Sequence, residues 1–138
     1  MDNSSNKKIE KAVVVIGGGH SHLNVLKSFT MDKIDGLRVT LISDVYETPY
    51  SGMLPGFIEN DYSVDDIQID LYKICYHGNF RFINSKVNKI DGIKNLIYFK
   101  DRLPLSFDYL SINIGINNDT KKIKNADKYA LKLKPISK

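Results

Sequence analysis

Short apolar runs, separated by glycines and polar segments, dominate the first part of the chain. Residues 12–16 are all apolar and mostly β-branched, which predicts a strand buried on both faces of a parallel sheet. Apolar residues, among them Leu23 and Leu26, recur at intervals of three along residues 20–30, which predicts a helix with one apolar face. Residues 37–42 (Leu-Arg-Val-Thr-Leu-Ile) predict a second strand. Strand, helix and strand in this order predict a right-handed βαβ unit.

Residues 46–62 have no usable period and predict an irregular loop. Residues that break helices and strands occur along it, namely Pro49, Gly52, Pro55 and Gly56. Loops of this length are usually functional or disordered. The aromatic and apolar residues within the loop favour a segment that packs against the rest of the protein.

The second half of the chain predicts further strands. Its predicted elements are a short helix at 70–76 ended by Gly78, a third parallel strand at 80–83, a β-meander at 85–90 and 96–99, and a buried strand at 108–114. The fold class expected from the whole pattern is therefore α/β, with a Rossmann-like βαβ unit, a parallel sheet and a β-meander.

Composition places the chain among ordinary globular proteins. With 138 residues, 42% hydrophobic and 26% charged, it fits one domain and argues against wholesale disorder. No apolar run approaches the roughly 20 residues of a membrane-spanning helix, and the polar start does not resemble a secretory signal. Cys75 is the single cysteine, so no internal disulfide can form. We expect a reducing, cytoplasmic location.

The net charge of +4 comes mainly from one end of the chain. Residues 121–138 contain seven lysines and one acidic residue, Asp127. Nucleic-acid binding would call for arginines with interleaved aromatics or a known motif, and the sequence has none of these. We therefore predict a solvated lysine-rich tail and no nucleic-acid partner.

Three glycines directly after the first strand are the sharpest chemical signal. Gly17, Gly18 and Gly19 would let the chain reverse and let a diphosphate approach the backbone at the amino end of the following helix, where amides are free and the dipole is positive. The third small position of this fingerprint is occupied by His22. At the end of the second strand, Ser43 or Asp44 could bind a ribose hydroxyl.

Three segments together resemble a known family. Residues 13–22 (Val-Val-Val-Ile-Gly-Gly-Gly-His-Ser-His), 39–43 (Val-Thr-Leu-Ile-Ser) and 48–56 (Thr-Pro-Tyr-Ser-Gly-Met-Leu-Pro-Gly) resemble FAD-dependent pyridine nucleotide-disulfide oxidoreductases. The resemblance is strongest to the type II NADH dehydrogenase-like subgroup that is often joined to selenophosphate synthetase (selenide, water dikinase).

The resemblance implies FAD as cofactor and a set of binding residues. The diphosphate would meet the glycine turn, the ribose the end of the second strand, the flavin the following loop, and the adenine a backbone in the meander. The implied residues are Gly17, Gly18, Gly19, His20, Ser21, His22, Ser43, Asp44, Pro49, Tyr50, Ser51, Val87 and Gly115. Family members end a later strand with Ala-Thr-Gly, of which residues 113–115 keep only the glycine.

The resemblance also implies what the chain lacks. Members that use a redox disulfide carry paired cysteines, so this chain resembles those that pass electrons from flavin directly to an acceptor. Family members contain a second βαβ unit for NAD(P)H, which does not fit in this length. We expect an incomplete FAD domain from a longer protein, with a flexible leader at 1–11, the FAD-binding segment at 12–116 and a linker at 117–138.

Two functions fit the sequence. The first is the FAD-binding portion of an NAD(P)H-dependent flavoprotein oxidoreductase, in which this chain alone is incomplete for catalysis and contributes no catalytic residue. The second is a non-catalytic nucleotide-binding or interaction module. A zinc site built from His20, His22, Cys75 and His77 is a weaker alternative, because the first two side chains would point about 200° apart on a helix.

Overall fold

The computed structural model describes residues 8–115 and 123–129. Nine strands and five α-helices are formed within these residues. In chain order they are β1 (Lys11–Ile16), α1 (His20–Met31), β2 (Leu37–Ser43), β3 (Glu47–Pro49), α2 (Leu54–Ile58), α3 (Val64–Ile67), β4 (Gln68–Asp70), α4 (Leu71–Gly78), β5 (Arg81–Asn84), β6 (Val87–Asp91), β7 (Leu96–Phe99), β8 (Leu105–Ser106), β9 (Tyr109–Ile112) and α5 (Ala126–Tyr129).

A four-stranded parallel sheet forms the centre of the fold. Its strand order is β5-β2-β1-β9, so the two predicted strands of the βαβ unit lie side by side in the middle. Val13 pairs with Val39 and Ile16 with Ile42, and β5 continues the sheet beyond β2. The α/β fold with a parallel sheet is confirmed.

Alternate residues of the central strands pack into two hydrophobic clusters, one on each face. The meander-side cluster joins the sheet to the meander and contains Val14, Ile16, Ile42, Ile83, Ile97 and Phe99. The helix-side cluster joins the sheet to α1 and α4 and contains Val15, Leu26, Val39, Leu41, Leu71 and Cys75. Because successive strand residues point to opposite faces, an uninterrupted apolar run fills both clusters.

The strand predicted as buried at 108–114 lies instead at the edge of the sheet. β9 pairs only with β1 among the described residues, and its Tyr109 and Ile112 are 61% and 52% exposed. The prediction of a strand was right, but the prediction of burial was wrong. An apolar run indicates a strand without indicating how many neighbours that strand has.

The segment predicted as an irregular loop is partly regular. β3 pairs in antiparallel register with β4, which joins Thr48 to Ile69 across the intervening α2 and α3. Helix α3 begins with a capping box in which the Ser63 and Asp66 side chains bond each other's backbone amides. The pairing of β3 with β4 closes the segment between them into a compact unit.

Two further predictions need correction. Helix α4 ends after Gly78, but the left-handed residue that follows it is Asn79, at φ 55°. Gly78 instead accommodates the Phe80 ring, which a β-carbon would strike. The meander has a third strand, β8, and β6 begins at Val87 rather than residue 85.

The outer parts of the predicted domain division lie largely outside the described residues. Among the described residues, Lys11 is the first residue of β1, and residues 126–129 form one helical turn. Among the described helices, none has the length and apolar character that a membrane crossing requires.

Candidate functional site

A cleft of about 540 Å³ opens at the carboxyl ends of the central parallel strands. This end of an open α/β sheet is where ligands bind in such folds. The cleft is bounded by the turn after β1, the start of α1, the end of β2, the segment around β3, and the residues after β9. Its lining residues are Gly17, Gly18, Gly19, His20, Leu23, Ser43, Asp44, Val45, Glu47, Thr48, Pro49, Tyr50, Ser51, Asn113, Ile114 and Gly115.

The glycine turn is tightly packed on its inner side. Gly17 has φ +90° and donates its amide hydrogen to the Ile42 carbonyl at 2.8 Å. A β-carbon at Gly17 would overlap the Asn113 carbonyl, and one at Gly18 would overlap the Leu71 side chain. The surroundings therefore require glycine at position 17, independently of any ligand, whereas a side chain at position 18 would have to displace Leu71.

Asn113 lies directly against the third glycine of the turn. A β-carbon at Gly19 would overlap the Asn113 carboxamide, and the Gly19 amide donates to the Asn113 carbonyl at 3.3 Å. Gly19 thus makes room for a protein side chain, whereas the sequence suggested room for a diphosphate. The cleft nevertheless remains open in front of the turn, with Asn113 as part of its wall.

Helix α1 presents an uncapped amino terminus to this cleft. Its N-cap is Gly19, which has no side chain to accept from the first amides. Within the described ranges, no backbone carbonyl accepts a hydrogen bond from the amides of His20 or Ser21. Unpaired amides at a helix amino terminus, with the positive end of its dipole, favour an anion.

The end of β2 brings two predicted ribose-binding candidates to the cleft. Ser43 is 6% exposed, and its Oγ accepts a hydrogen bond from the Val45 amide at 3.2 Å. Asp44 is exposed on the cleft wall. The serine hydroxyl is therefore engaged in a local turn, while the Asp44 carboxylate faces solvent and is the better placed of the two.

The loop after β2 forms the opposite wall of the cleft. The Tyr50 amide donates to the Ile67 carbonyl at 2.8 Å, which fixes the backbone beside Pro49 and Ser51. The Tyr50 ring lies 5.0 Å from the imidazole of His20, centroid to centroid, so loop and helix meet across the cleft. The cleft is lined by His20, Pro49, Tyr50 and Ser51 from these two elements.

Three predicted residues lie outside the cleft lining. Ser21 is exposed on α1, His22 is only 3% exposed beneath the turn, and Val87 packs against the meander-side hydrophobic cluster. Conversely, sequence reasoning missed Leu23, Val45, Glu47, Thr48, Asn113 and Ile114. A polar Asn113 at the end of an apolar strand was a usable signal for a site residue.

The alternative zinc site is not assembled. Among the described residues, no group of three or more histidine, cysteine or acidic side chains is arranged to hold a metal. Both ring nitrogens of His22 already contact protein atoms. Cys75 is buried, and this burial raises the pKa of its thiol to about 11, which keeps it protonated and poorly reactive at neutral pH.

Comparison with known proteins identifies the fold as that of flavoprotein reductases. No known family profile matches the chain. The chain is homologous to sulfide-quinone reductase of Aquifex aeolicus (strain VF5), with 32% identity over 108 residues that cover 76% of this chain and 24% of the relative.

Two solved structures share this fold. The sulfide:quinone oxidoreductase of the hyperthermophilic bacterium Aquifex aeolicus superimposes with a TM-score of 0.66 at 29% identity, over 76% of this chain and 24% of that one. NDH2 of Plasmodium falciparum, solved in complex with NADH, has a TM-score of 0.70 at 22% identity, over 88% and 25%. The chain thus spans about a quarter of the length of these relatives.

Proposed function

We propose that this chain is the FAD-binding part of a flavoprotein oxidoreductase and that the cleft binds FAD through its diphosphate. The observation that carries the proposal is the coincidence of an open cleft, a glycine turn and an uncapped helix amino terminus at the carboxyl ends of β1 and β2. The named relatives sulfide-quinone reductase and NDH2 are FAD-binding flavoproteins, which supports this cofactor.

The residues of the cleft fit an adenine dinucleotide by their chemistry. The amides of Gly18 and His20 suit the anionic diphosphate, and Asp44 suits a ribose hydroxyl. The Ser21 amide, unpaired among the described backbone groups, follows at the helix amino terminus, outside the lining. Ser43 would contribute mainly by shaping the turn that presents Asp44. These groups bind and orient the ligand, and none of them is a proton donor or nucleophile for a reaction.

The outer parts of the cleft suit the two ends of the cofactor. Pro49, Tyr50, Ser51 and Gly115 form a wall that would lie near the flavin. Val87 lies outside the lining, so a contact from its backbone to the adenine would extend the site towards the meander. His22 supports the turn from beneath.

The redox reaction is assigned to the longer parent protein. When bound, FAD would accept hydride from NAD(P)H and pass electrons to a separate acceptor. With Cys75 as the single cysteine, buried and with a raised pKa, this chain contributes no disulfide to that transfer. Binding of NAD(P)H would require a further domain after the FAD-binding segment, which we assign to 12–116, between a leader at 1–11 and a linker at 117–138.

Within the flavoprotein reductases, we assign the chain to the pyridine nucleotide-disulfide oxidoreductase family. The strings at residues 17–22 and 50–56 support its subgroup that is joined to selenophosphate synthetase. We also propose a cytoplasmic location, which the single cysteine supports. A non-catalytic nucleotide-binding module is the second candidate. It is favoured for the isolated chain, which spans 24% of the relative's length.

Titration of the purified chain with FAD tests the proposal. We expect quenching of flavin fluorescence and competition by ADP. The variant Asp44→Asn should weaken FAD binding about tenfold, since it replaces a charged hydrogen-bond acceptor by a neutral one, a difference of about 1–1.5 kcal/mol. Asp61→Asn, on the exposed connection between α2 and α3, is the matched control. A chain that binds neither FAD nor ADP would contradict the proposal.

Oxidation of NADH by the full-length parent protein separates the two candidates. The isolated chain loaded with FAD should show no turnover above that of free FAD in either case. The parent protein should show turnover that saturates with NADH if the oxidoreductase assignment is right, whereas a non-catalytic module predicts none.

A further inference from the structure

His22 occupies an unusual place beneath the glycine turn. It stands where the dinucleotide-binding fingerprint has a small residue for close helix–strand packing. Its side chain is only 3% exposed, although it carries two polar nitrogens. Nδ1 lies 2.8 Å from the Gly17 carbonyl oxygen, and Nε2 lies 2.9 Å from Ser111 Oγ on β9. One residue of α1 therefore contacts both the turn and the edge strand.

The two contacts together define a proton arrangement. A carbonyl oxygen can only accept a hydrogen bond, so Nδ1 must carry a proton and donate it to Gly17. In the neutral ring Nε2 is then an acceptor, and the Ser111 hydroxyl can donate to it. The ring is thus held in one tautomer and one orientation by partners on two different elements.

The bond to Gly17 also fixes the direction of an amide in the turn. In a trans peptide the carbonyl and the following N–H point in opposite directions. Holding the Gly17 carbonyl towards the buried His22 turns the Gly18 N–H the other way. Gly18 lines the cleft, and within the described residues its amide donates to no backbone carbonyl.

We propose that His22 is a positioning residue that holds the Gly17–Gly18 peptide so that the Gly18 amide donates into the cleft. The ligand of this amide is an oxygen of a diphosphate, so the inference rests on the proposed function. Ser111 acts through His22 by fixing the ring tautomer. The sequence signature of this device is a histidine in place of the small residue of the fingerprint.

Conservative substitutions separate positioning from packing. An asparagine amide can occupy the place of Nδ1 and still donate to Gly17, whereas a glutamine amide reaches the place of Nε2 and Ser111 instead. We expect His22→Asn to keep ADP affinity within about threefold and His22→Gln to lose about tenfold. Neither variant should change the affinity for adenosine, which has no diphosphate. Cooperative urea unfolding of both variants should show that they are folded.

Three results would overturn the inference. Equal losses of ADP affinity in the asparagine and glutamine variants would show that the Gly17 bond is not what matters, as would a parallel loss for adenosine. ¹⁵N NMR of the histidine ring provides a test without ligand, because we expect a protonated Nδ1 and an unprotonated Nε2. The opposite tautomer would refute the inference even if ADP binds normally.

The outcome for the wild-type chain keeps this test apart from that of the proposed function. Wild-type binding of ADP with indistinguishable variants refutes only the role of His22. Absence of ADP binding by the wild-type chain refutes the proposed function, and the positioning role falls with it because the amide then has no ligand.

Discussion

Strands β2 and β9 flank β1 on its two sides, but they differ in how far their side chains are buried. Ile42 of β2 and Ile112 of β9 both pair with Ile16, one from each side. Ile42 is fully buried, whereas Ile112 is 52% exposed. Both strands are apolar in sequence, and both contribute the residues that follow them to the same cleft. Apolar content alone therefore does not separate the strand that holds the core together from the one at its edge.

The difference comes from neighbours rather than from composition. β2 lies between β1 and β5, with the meander-side cluster on one face and the helix-side cluster on the other. In the described part of the chain, β9 has β1 on one side and no strand on the other. An edge of this kind exposes unpaired backbone groups and apolar side chains, which other polypeptide segments can cover.

Matched truncations of the two isoleucines provide the largest expected contrast. Ile42→Ala should lower the free energy of unfolding by about 2–5 kcal/mol because it leaves a cavity in a fully buried site. Ile112→Ala should cost less than about 1 kcal/mol, since half of that side chain is already in water. Urea unfolding of both variants measures the difference. Equal losses would mean that the edge of β9 is covered in solution.

Two glycines with positive φ compare the buried turn with the exposed edge. Gly17→Ala adds a β-carbon that overlaps the Asn113 carbonyl, whereas at Gly115 a β-carbon would meet nothing within 4 Å. Both changes carry the left-handed backbone cost of about 1–2 kcal/mol. Overlap should add about 1–3 kcal/mol for Gly17→Ala alone. Unfolding midpoints test this order, and a more damaging Gly115→Ala would contradict it.

Asp108 links the start of β1 to the start of β9 and makes their contact sensitive to pH. Its carboxylate accepts from the Ala12 amide at 2.7 Å and pairs with Lys11 at 3.2 Å. The Ala12 amide, and then Lys11, hold the pKa of Asp108 below its usual value. The stability that this carboxylate contributes is therefore present at neutral pH and is lost as the pH falls below about 3.9 and through the lowered pKa.

The variant Asp108→Asn tests this dependence. It should be less stable than wild type at pH 7, and the two proteins should converge as the pH is lowered through this range. Urea unfolding at a series of pH values measures the convergence. A constant gap between the two proteins down to pH 2 would show that the carboxylate charge is not responsible.

The smallest expected effect is that of a charge on the exposed edge. Ile112→Lys should change the free energy of unfolding by no more than about 0.5 kcal/mol, because it alters a half-exposed surface position. It should also reduce self-association, since charged side chains on edge strands oppose pairing with other chains. Light scattering over a concentration series measures this, with Ile58→Lys on exposed α2 as control. Unchanged or increased scattering would contradict it.

Local patterns determined how much of the fold was predictable. The ends of the three elements of the βαβ unit were predicted to within one residue. This was possible because an apolar run, a glycine break and a helical period are all local patterns. The pairing of Thr48 with Ile69 was not predicted, because it depends on segments twenty residues apart meeting in space. The exposure of β9 escaped prediction for the same reason.

The same difference between local patterns and long-range contacts determined which residues of the candidate site could be predicted. The glycines and Ser43 could be found from sequence because they follow strands in a known order. Asn113 could not be assigned a role, since its position against Gly19 depends on β9 folding beside β1. The participation of His22 in a bond to Gly17 likewise requires knowing which face of α1 meets the turn.

The antiparallel pairing of β3 with β4 has a consequence for how a molecule would enter the cleft. It closes residues 47–70 into a loop whose two ends are joined by the backbone pairing of β3 with β4, so the wall formed by Pro49 and Tyr50 is set during folding. An incoming molecule then has no segment to immobilise there, and its association carries little entropic penalty from that side. Such a preformed wall favours recognition of ligands of one shape over adaptation to ligands of many shapes.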